Sequence, residues 1–249
     1  MKTANIEVTY INHCGDDLSV VNAARVSFHK ESEWETVEGH DLSEEDGWQQ
    51  CYYEGGVRDG EGYGIRLSKQ DTKLINYLAK HKHFSPFNHA FLSFRVKAPI
   101  FVARQLVKHK FLPWNEVSRR YVDDEPEFFF PAGWRARAEN VKQGSTDTYV
   151  DLGKFPNPQT VVDNALYAYE QLLQAGVAPE QARMVLPQNT MTEWIWSGTL
   201  GAYCDMLRLR LDPHTQYESR LVAELIYDKV KQLFPVSVGA LLEREVSPT

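Results

Sequence analysis

Apolar residues alternate or recur along this chain with two distinct periods, and those periods mark out its elements. Ile6, Val8, Tyr10 and Ile11 open the chain at roughly every second position, the spacing of a strand, and Leu18 to Phe28 follows as a short helix ending in Ala-Arg-Val-Ser-Phe. From His29 to Tyr63 the pattern breaks down into acidic residues, glycines and scattered aromatics. That composition predicts a surface insertion with little regular structure, placed where a lid could form. Ser68 followed by Asp71 resembles a capping box, and Leu74, Ile75 and Leu78 continue it as a helical stripe to about Lys82. Ala90, Leu92, Phe94 and Val96 alternate with Phe91, Ser93 and Arg95, as in a strand with one buried face. Pro99 is suited to open the next helix, which the pattern carries to about Pro113. A loop holding Asn115, Glu116, Ser118 and Arg120 then leads to a strand near Phe128 to Phe130. After a polar loop come a helix from Thr160 to Ala175, stopped by Gly176, and a short helix from Pro179. Trp194 to Ser197 suits a strand, Thr199 to Leu211 a helix, and a last long helix runs from Thr215 to Phe234, where Pro235 stops it. Helices and few strands alternate without a βαβ rhythm, which predicts an α+β fold: one irregular, mixed helix-and-sheet domain over residues 1–249.

Composition narrows the function. The formal net charge is −7, whereas a protein that coats nucleic acid needs surplus Lys and Arg to displace counterions, so no nucleic-acid partner is expected. Cys14, Cys51 and Cys204 form no paired framework, no apolar stretch resembles a signal peptide, and no run is long enough to span a membrane. A soluble, cytoplasmic protein fits these features. His81, His83 and His89 lack a cysteine or carboxylate to complete a metal site, and none is expected.

Against that acidic background, one segment is basic. Between Arg104 and Arg120 stand Arg104, Lys108, Lys110, Arg119 and Arg120 against the single acid Glu116. Ser118, Arg119 and Arg120 put a hydroxyl, backbone N–H groups and guanidinium forks within one turn, a set that can share the oxygens of a phosphate. Tyr121 adds a flat surface for a base. Two plainer readings stand beside this one. Lys108 and Lys110 suit a helix C-terminus, and Arg119 and Arg120 could be surface charges balanced by Asp123, Asp124 and Glu125.

The same segment resembles the flavin-dependent thymidylate synthases, whose signature is Arg-His-Arg, seven residues, Ser, one residue, Arg. Here the string is Lys108-His109-Lys110, then Phe111 to Val117, then Ser118, Arg119 and Arg120; both flanking arginines are lysines, which keep the charge and lose the bidentate fork. The resemblance continues through Ala24 to Phe28, His83 to His89, Val96 to Gln105, Ala182 to Pro187 and Leu207 to Glu218, leaving outside the insertion, the loop from Gly133 to Pro158 and the C-terminal tail.

The resemblance implies a mechanism and a site. FAD, reduced by NADPH, would supply hydride, and methylenetetrahydrofolate a one-carbon unit, to convert dUMP to dTMP in a homotetramer with active sites shared between subunits. Gln105, Lys108, Glu116, Ser118, Arg119, Arg120, Tyr121 and Arg183 would surround the nucleotide. His83, Ser85, Lys108, His109, Lys110, Glu116, Thr199, Leu200, Gly201, Asp205 and His214 would lie near the flavin, although Thr199, Leu200 and Gly201 depart from the usual Asn-Ala-Arg and Asp205 from Asn. Arg210 matches the arginine set against the uracil ring. By helical spacing it shares a stripe with Leu200, Tyr203 and Leu207, and an ion pair with Asp205 or Asp212 is its structural alternative. A non-catalytic nucleotide-binding protein of the same fold is the alternative for the whole chain.

Overall fold

The structure, a computed structural model, describes residues 1–38, 63–122, 124–139, 144–153 and 157–242. In chain order its elements are β1 (Lys2–Thr3), β2 (Glu7–Cys14), α1 (Asp17–Arg25), β3 (Glu35–Glu38), β4 (Tyr63–Arg66), α2 (Lys69–Lys80), β5 (Phe91–Pro99), α3 (Ile100–Leu106), β6 (Trp114–Glu116), β7 (Glu127–Phe128), β8 (Arg135–Arg137), β9 (Ser145–Tyr149), α4 (Pro158–Gln174), α5 (Pro179–Ala182), β10 (Met191–Thr199), α6 (Leu200–Arg210), α7 (Tyr217–Leu233) and α8 (Pro235–Leu242). A four-stranded sheet runs in the order β2-β5-β10-β6, and β1-β7, β3-β4 and β8-β9 form pairs. The fold is the mixed helix-and-sheet class that the hydrophobic pattern predicts.

The chain divides into two compact units. The first contains Met1–Ile11, Phe94–Ser197 and Leu209–Leu225. Phe128, Val162, Leu166, Tyr169 and Ala182 are buried together there, so α4 covers α5 and the end of β7. Helix α4 starts at the cap Asn157, with Pro158 in its first turn. It ends at Gly176, whose φ of 85° lets Gly176 N–H reach Leu173 O and Val177 N–H reach Leu172 O, both at 2.9 Å. Trp114 on β6 stacks on Trp194 of β10, with ring centroids 4.2 Å apart.

The second unit contains Asn12–Ser93, Gly198–Arg208 and Ile226–Thr249. Its core joins Val20 and Val21 of α1, Ile75 of α2, Tyr203 and Leu207 of α6 and Phe234 beside α8. Ser68 caps α2 as its pairing with Asp71 predicts, accepting from Asp71 N–H and donating to the carboxylate. Burial opposes the charge of Asp71, but hydrogen bonds from Ser68, Arg25 and Ser32 hold it below the usual carboxylate range.

Several boundaries differ from the sequence-based expectation. Helix α3 ends at Leu106 rather than near Pro113, because the chain turns at His109, and Phe111 takes a left-handed backbone (φ 64°) that cannot continue a helix. The Asn115–Glu116 stretch is strand β6, paired antiparallel with β10. The start of the insertion, Glu35–Glu38, pairs with Tyr63–Arg66 as a ladder, so this end has regular structure; residues 39–62 lie outside the described residues. Pro235 stops α7 as expected but also opens α8, an element the pattern did not predict.

Candidate functional site

Two clefts in the first unit gather residues singled out by the sequence, and their charges differ. The first, about 520 Å³, is lined by Glu116, Arg119 and Arg183 together with Lys2, Lys97, Asp124, Glu125, Glu127, Thr192 and Glu193. Its charges are largely spent on one another. Lys97 pairs with Glu127, Lys2 with Glu125, and Arg119 reaches both the backbone oxygen (2.9 Å) and the carboxylate (3.4 Å) of Asp124. Glu116 is held at both oxygens, accepting from Trp114 Nε1 at 3.0 Å and Thr192 Oγ1 at 2.7 Å.

The second cleft, about 620 Å³, is lined by Arg104, Gln105, Lys108, Arg135, Gly144, Ser145, Arg210, Thr215 and Gln216. It has four cationic side chains and no acid among its lining residues. Arg135 is balanced by Glu218, whereas Arg104 and Lys108 pair with nothing among the described residues. Three uncompensated cations around one hollow favour an anionic ligand, since unpaired charge is costly unless a partner neutralises it.

Arg210 is the most constrained of them. Its Nε donates to His109 Nε2 at 2.8 Å, and one terminal nitrogen donates to Gln105 O at 3.2 Å. A guanidinium only donates, so the facing nitrogen of His109 is the acceptor. Burial lowers the Arg210 pKa from its ordinary value, yet neither expected carboxylate pairs with it: Asp205 engages Arg208 and Asp212 engages His214. The guanidinium therefore has no carboxylate partner among the described residues.

Ser118 and Arg120 come together locally, with Arg120 Nε donating to Ser118 Oγ at 3.1 Å, and the Arg120 guanidinium lies 5.0 Å over the exposed Tyr121 ring. Of the two arginines, only Arg119 follows the reading of charges balanced by nearby acids. Arg120 meets no acid among the described residues, and Asp123 lies outside them. Lys110, His83, Ser85 and His214 are exposed, while Leu200 and Gly201 are buried. Thr199 donates to Asn88 Oδ1 at 2.8 Å, and a Cβ at Gly201 would sit 2.6 Å from that same atom, so here Asn88 occupies the space beside the first turn of α6. Arg135 and Ser145, from a stretch read only as polar loop, were not anticipated; the basic pair flanking Ala136 was the one available signal.

The family model for thymidylate synthase complementing protein matches residues 9–236. The chain belongs to this family. Among its curated relatives are flavin-dependent thymidylate synthases from Thermus thermophilus, 36% identical over 95% of this chain and 75% of theirs, and from Kosmotoga olearia, 34% identical over 92% and 86%. Among solved structures, PolB of Streptomyces cacaoi, a UMP/dUMP methylase bound with 5-Br dUMP, superposes with a TM-score of 0.73 at 27% identity and 96% coverage of both chains. Among the described residues no helix is long and apolar enough to cross a membrane.

Proposed function

We propose that this protein is a flavin-dependent thymidylate synthase that methylates dUMP to dTMP, using methylenetetrahydrofolate as one-carbon donor and NADPH as reductant through FAD. The observation that carries the reading is Arg210, a partly buried guanidinium oriented by two neutral acceptors and paired with no carboxylate among the described residues. Such a charge is available to an anion that develops on a substrate ring, and it costs little reorganisation because it is already fixed.

The donor set of the second cleft fits a flavin dinucleotide, whose diphosphate needs cations and hydroxyl donors. Arg104, Lys108 and Ser145 provide both, and His109 and Lys110 stand next to them in sequence. The chemistry FAD supplies when bound is hydride transfer. The protein's own residues orient and polarise. Ser118 and Arg120 take the nucleotide phosphate, Gln105 fixes the nucleotide within the cleft, and Arg210 stabilises negative charge on the uracil. A cysteine nucleophile is not needed. Burial pushes the Cys204 thiol up to about 12, which suits a core residue and not an attacking thiolate.

Of the nucleotide residues, Glu116, Arg119 and Arg183 line one cleft and Gln105 and Lys108 line the other beside Arg210, while Ser118, Arg120 and Tyr121 line neither. That division supports a homotetramer in which each active site draws on more than one copy. Exposed Phe111, Met184 and Leu209, 81%, 79% and 62% accessible, supply apolar surface for such contacts. We read the chain as one catalytic domain, working in the cytoplasm with neither membrane nor nucleic acid as partner.

The test is direct. Purified protein should show flavin absorbance bands and form dTMP from dUMP only when NADPH and methylenetetrahydrofolate are both present. A colourless protein that binds no added FAD would favour the non-catalytic nucleotide-binding alternative.

A further inference from the structure

We infer that the β8-β9 hairpin is a working wall of the cationic cleft and that Arg135 is a positioning residue for Gln105. The hairpin lies in the part of the chain that the sequence resemblance leaves aside, yet Arg135, Gly144 and Ser145 all line the cleft. Arg135 is held from four sides. Its Nε donates to Ser145 Oγ at 2.8 Å, a terminal nitrogen meets Glu218, and its guanidinium packs 4.6 Å over the Tyr217 ring. The fourth constraint is β8 itself, paired with β9 through Arg135 and Tyr149.

Glu218 passes this constraint on. Its second oxygen accepts from Gln216 Nε2 at 3.1 Å, Gln216 Oε1 accepts from Gln105 Nε2, and Gln105 Oε1 accepts from Ser219 Oγ at 3.1 Å. Each bond along Arg135, Glu218, Gln216, Gln105 and Ser219 runs from a donor to an acceptor, and because both the oxygen and the nitrogen of the Gln105 carboxamide are engaged its orientation is fixed. An amide free to flip would present N–H or C=O to a ligand interchangeably; one locked at both ends presents a single face. The Gln105 backbone oxygen also accepts from Arg210, so the same residue links the hairpin relay to the guanidinium. Removing Arg135 leaves Glu218, 6% accessible, with Gln216 alone, and a carboxylate without its cation pulls Gln216 out of register with Gln105.

The inference rests on the placement of Gln105 beside the nucleotide, and the test separates the two. dUMP binding to the FAD-loaded protein would be titrated calorimetrically for Arg135→Ala, Arg135→Lys, Gln105→Ala and the Arg135→Ala/Gln105→Ala pair. Arg135→Ala should weaken dUMP binding by about tenfold, the effect of one lost hydrogen bond to a charged group, while kcat at saturating dUMP stays within about twofold. Arg135→Lys should restore most of the affinity. In the Gln105→Ala background the Arg135 substitution should add nothing, because both act through one amide. Should Arg135→Ala unfold the chain, Glu218→Ala, which takes away the partner of Arg135 and the acceptor of Gln216 Nε2 together, is expected to give the same loss of affinity. Additive effects would mean that Arg135 touches the nucleotide directly, and an unchanged affinity in Arg135→Ala would break the relay; either overturns the inference. Normal dUMP binding by Gln105→Ala would instead overturn the placement of Gln105, and the relay with it.

Discussion

A single guanidinium shows how this chain prepares charge without spending it. Arg210 is half-buried, and desolvation works against its charged form, yet its hydrogen bonds go to an imidazole nitrogen and a backbone oxygen rather than to an acid. Neither neutral acceptor cancels the charge, so they fix direction and leave the field intact. If that field stabilises the uracil anion, Arg210→Ala should lower kcat for dUMP by roughly 10²–10³-fold, the usual loss for a preorganised donor, while flavin absorbance in the purified protein stays near the parent level. Turnover within a few-fold of the parent would remove Arg210 from the chemistry. Arg210→Lys should recover little, because an ammonium on a flexible stem cannot span His109 and Gln105 together. Arg210 was legible as a candidate from its place in the Leu-Arg-Leu-Arg-Leu-Asp stretch; its partners were not. His109 and Gln105 lie about a hundred residues away in sequence, and nothing local to Arg210 signals them.

Whole elements were legible where burial is one-sided. Leu92, Phe94 and Val96 of β5 alternate in sequence with Ala90 just before the strand, all four fully buried, and α4 runs from its proline-bearing first turn to its glycine stop. Legibility failed where a distant contact decides the outcome. Strand β6 is three residues long and exists because Trp114 and Glu116 pair with Trp196 and Trp194, while α8 begins at a proline that reads locally only as a stop. The α8 N-terminus has a remote cap: buried Asp17 accepts from Val236 N–H at 2.9 Å and Ser237 N–H at 3.0 Å. Burial outweighs those bonds and raises the Asp17 pKa from 3.8 to about 6. Between these values the folded chain holds a proton that the unfolded chain has released. The folded state thus gains stability as pH falls through this window and loses about 3 kcal/mol as pH rises through it. Asp17→Asn cannot titrate, so the urea midpoint of the parent should rise relative to this variant between pH 7 and pH 4.5. A difference between the two that ignores pH would rule out a buried, titrating Asp17.

At the scale of the whole molecule, charge is distributed against the average. A chain of net charge −7 collects Arg104, Lys108 and Arg210 at one hollow, which steers anions there while repelling them elsewhere. The other cleft, lined by Arg119 and Arg183, is crossed by ion pairs and carries more acids than bases, so by itself it is a poor phosphate site. If the complete site is assembled from copies, each cleft supplies one part of it, and mixing separates this from a site complete within one chain. Arg210→Ala and Arg183→Ala each disable a different cleft, so each homomeric variant should be deficient in dTMP formation. If one site takes Arg210 from one subunit and Arg183 from another, co-expressed chains carrying both substitutions in different copies must contain some sites with neither. Purified mixed oligomers, sedimenting at four times the chain mass, should then recover turnover that neither variant has alone. Verified mixed tetramers without recovery would place both arginines in the same chain's site, because every such site would then carry a defect.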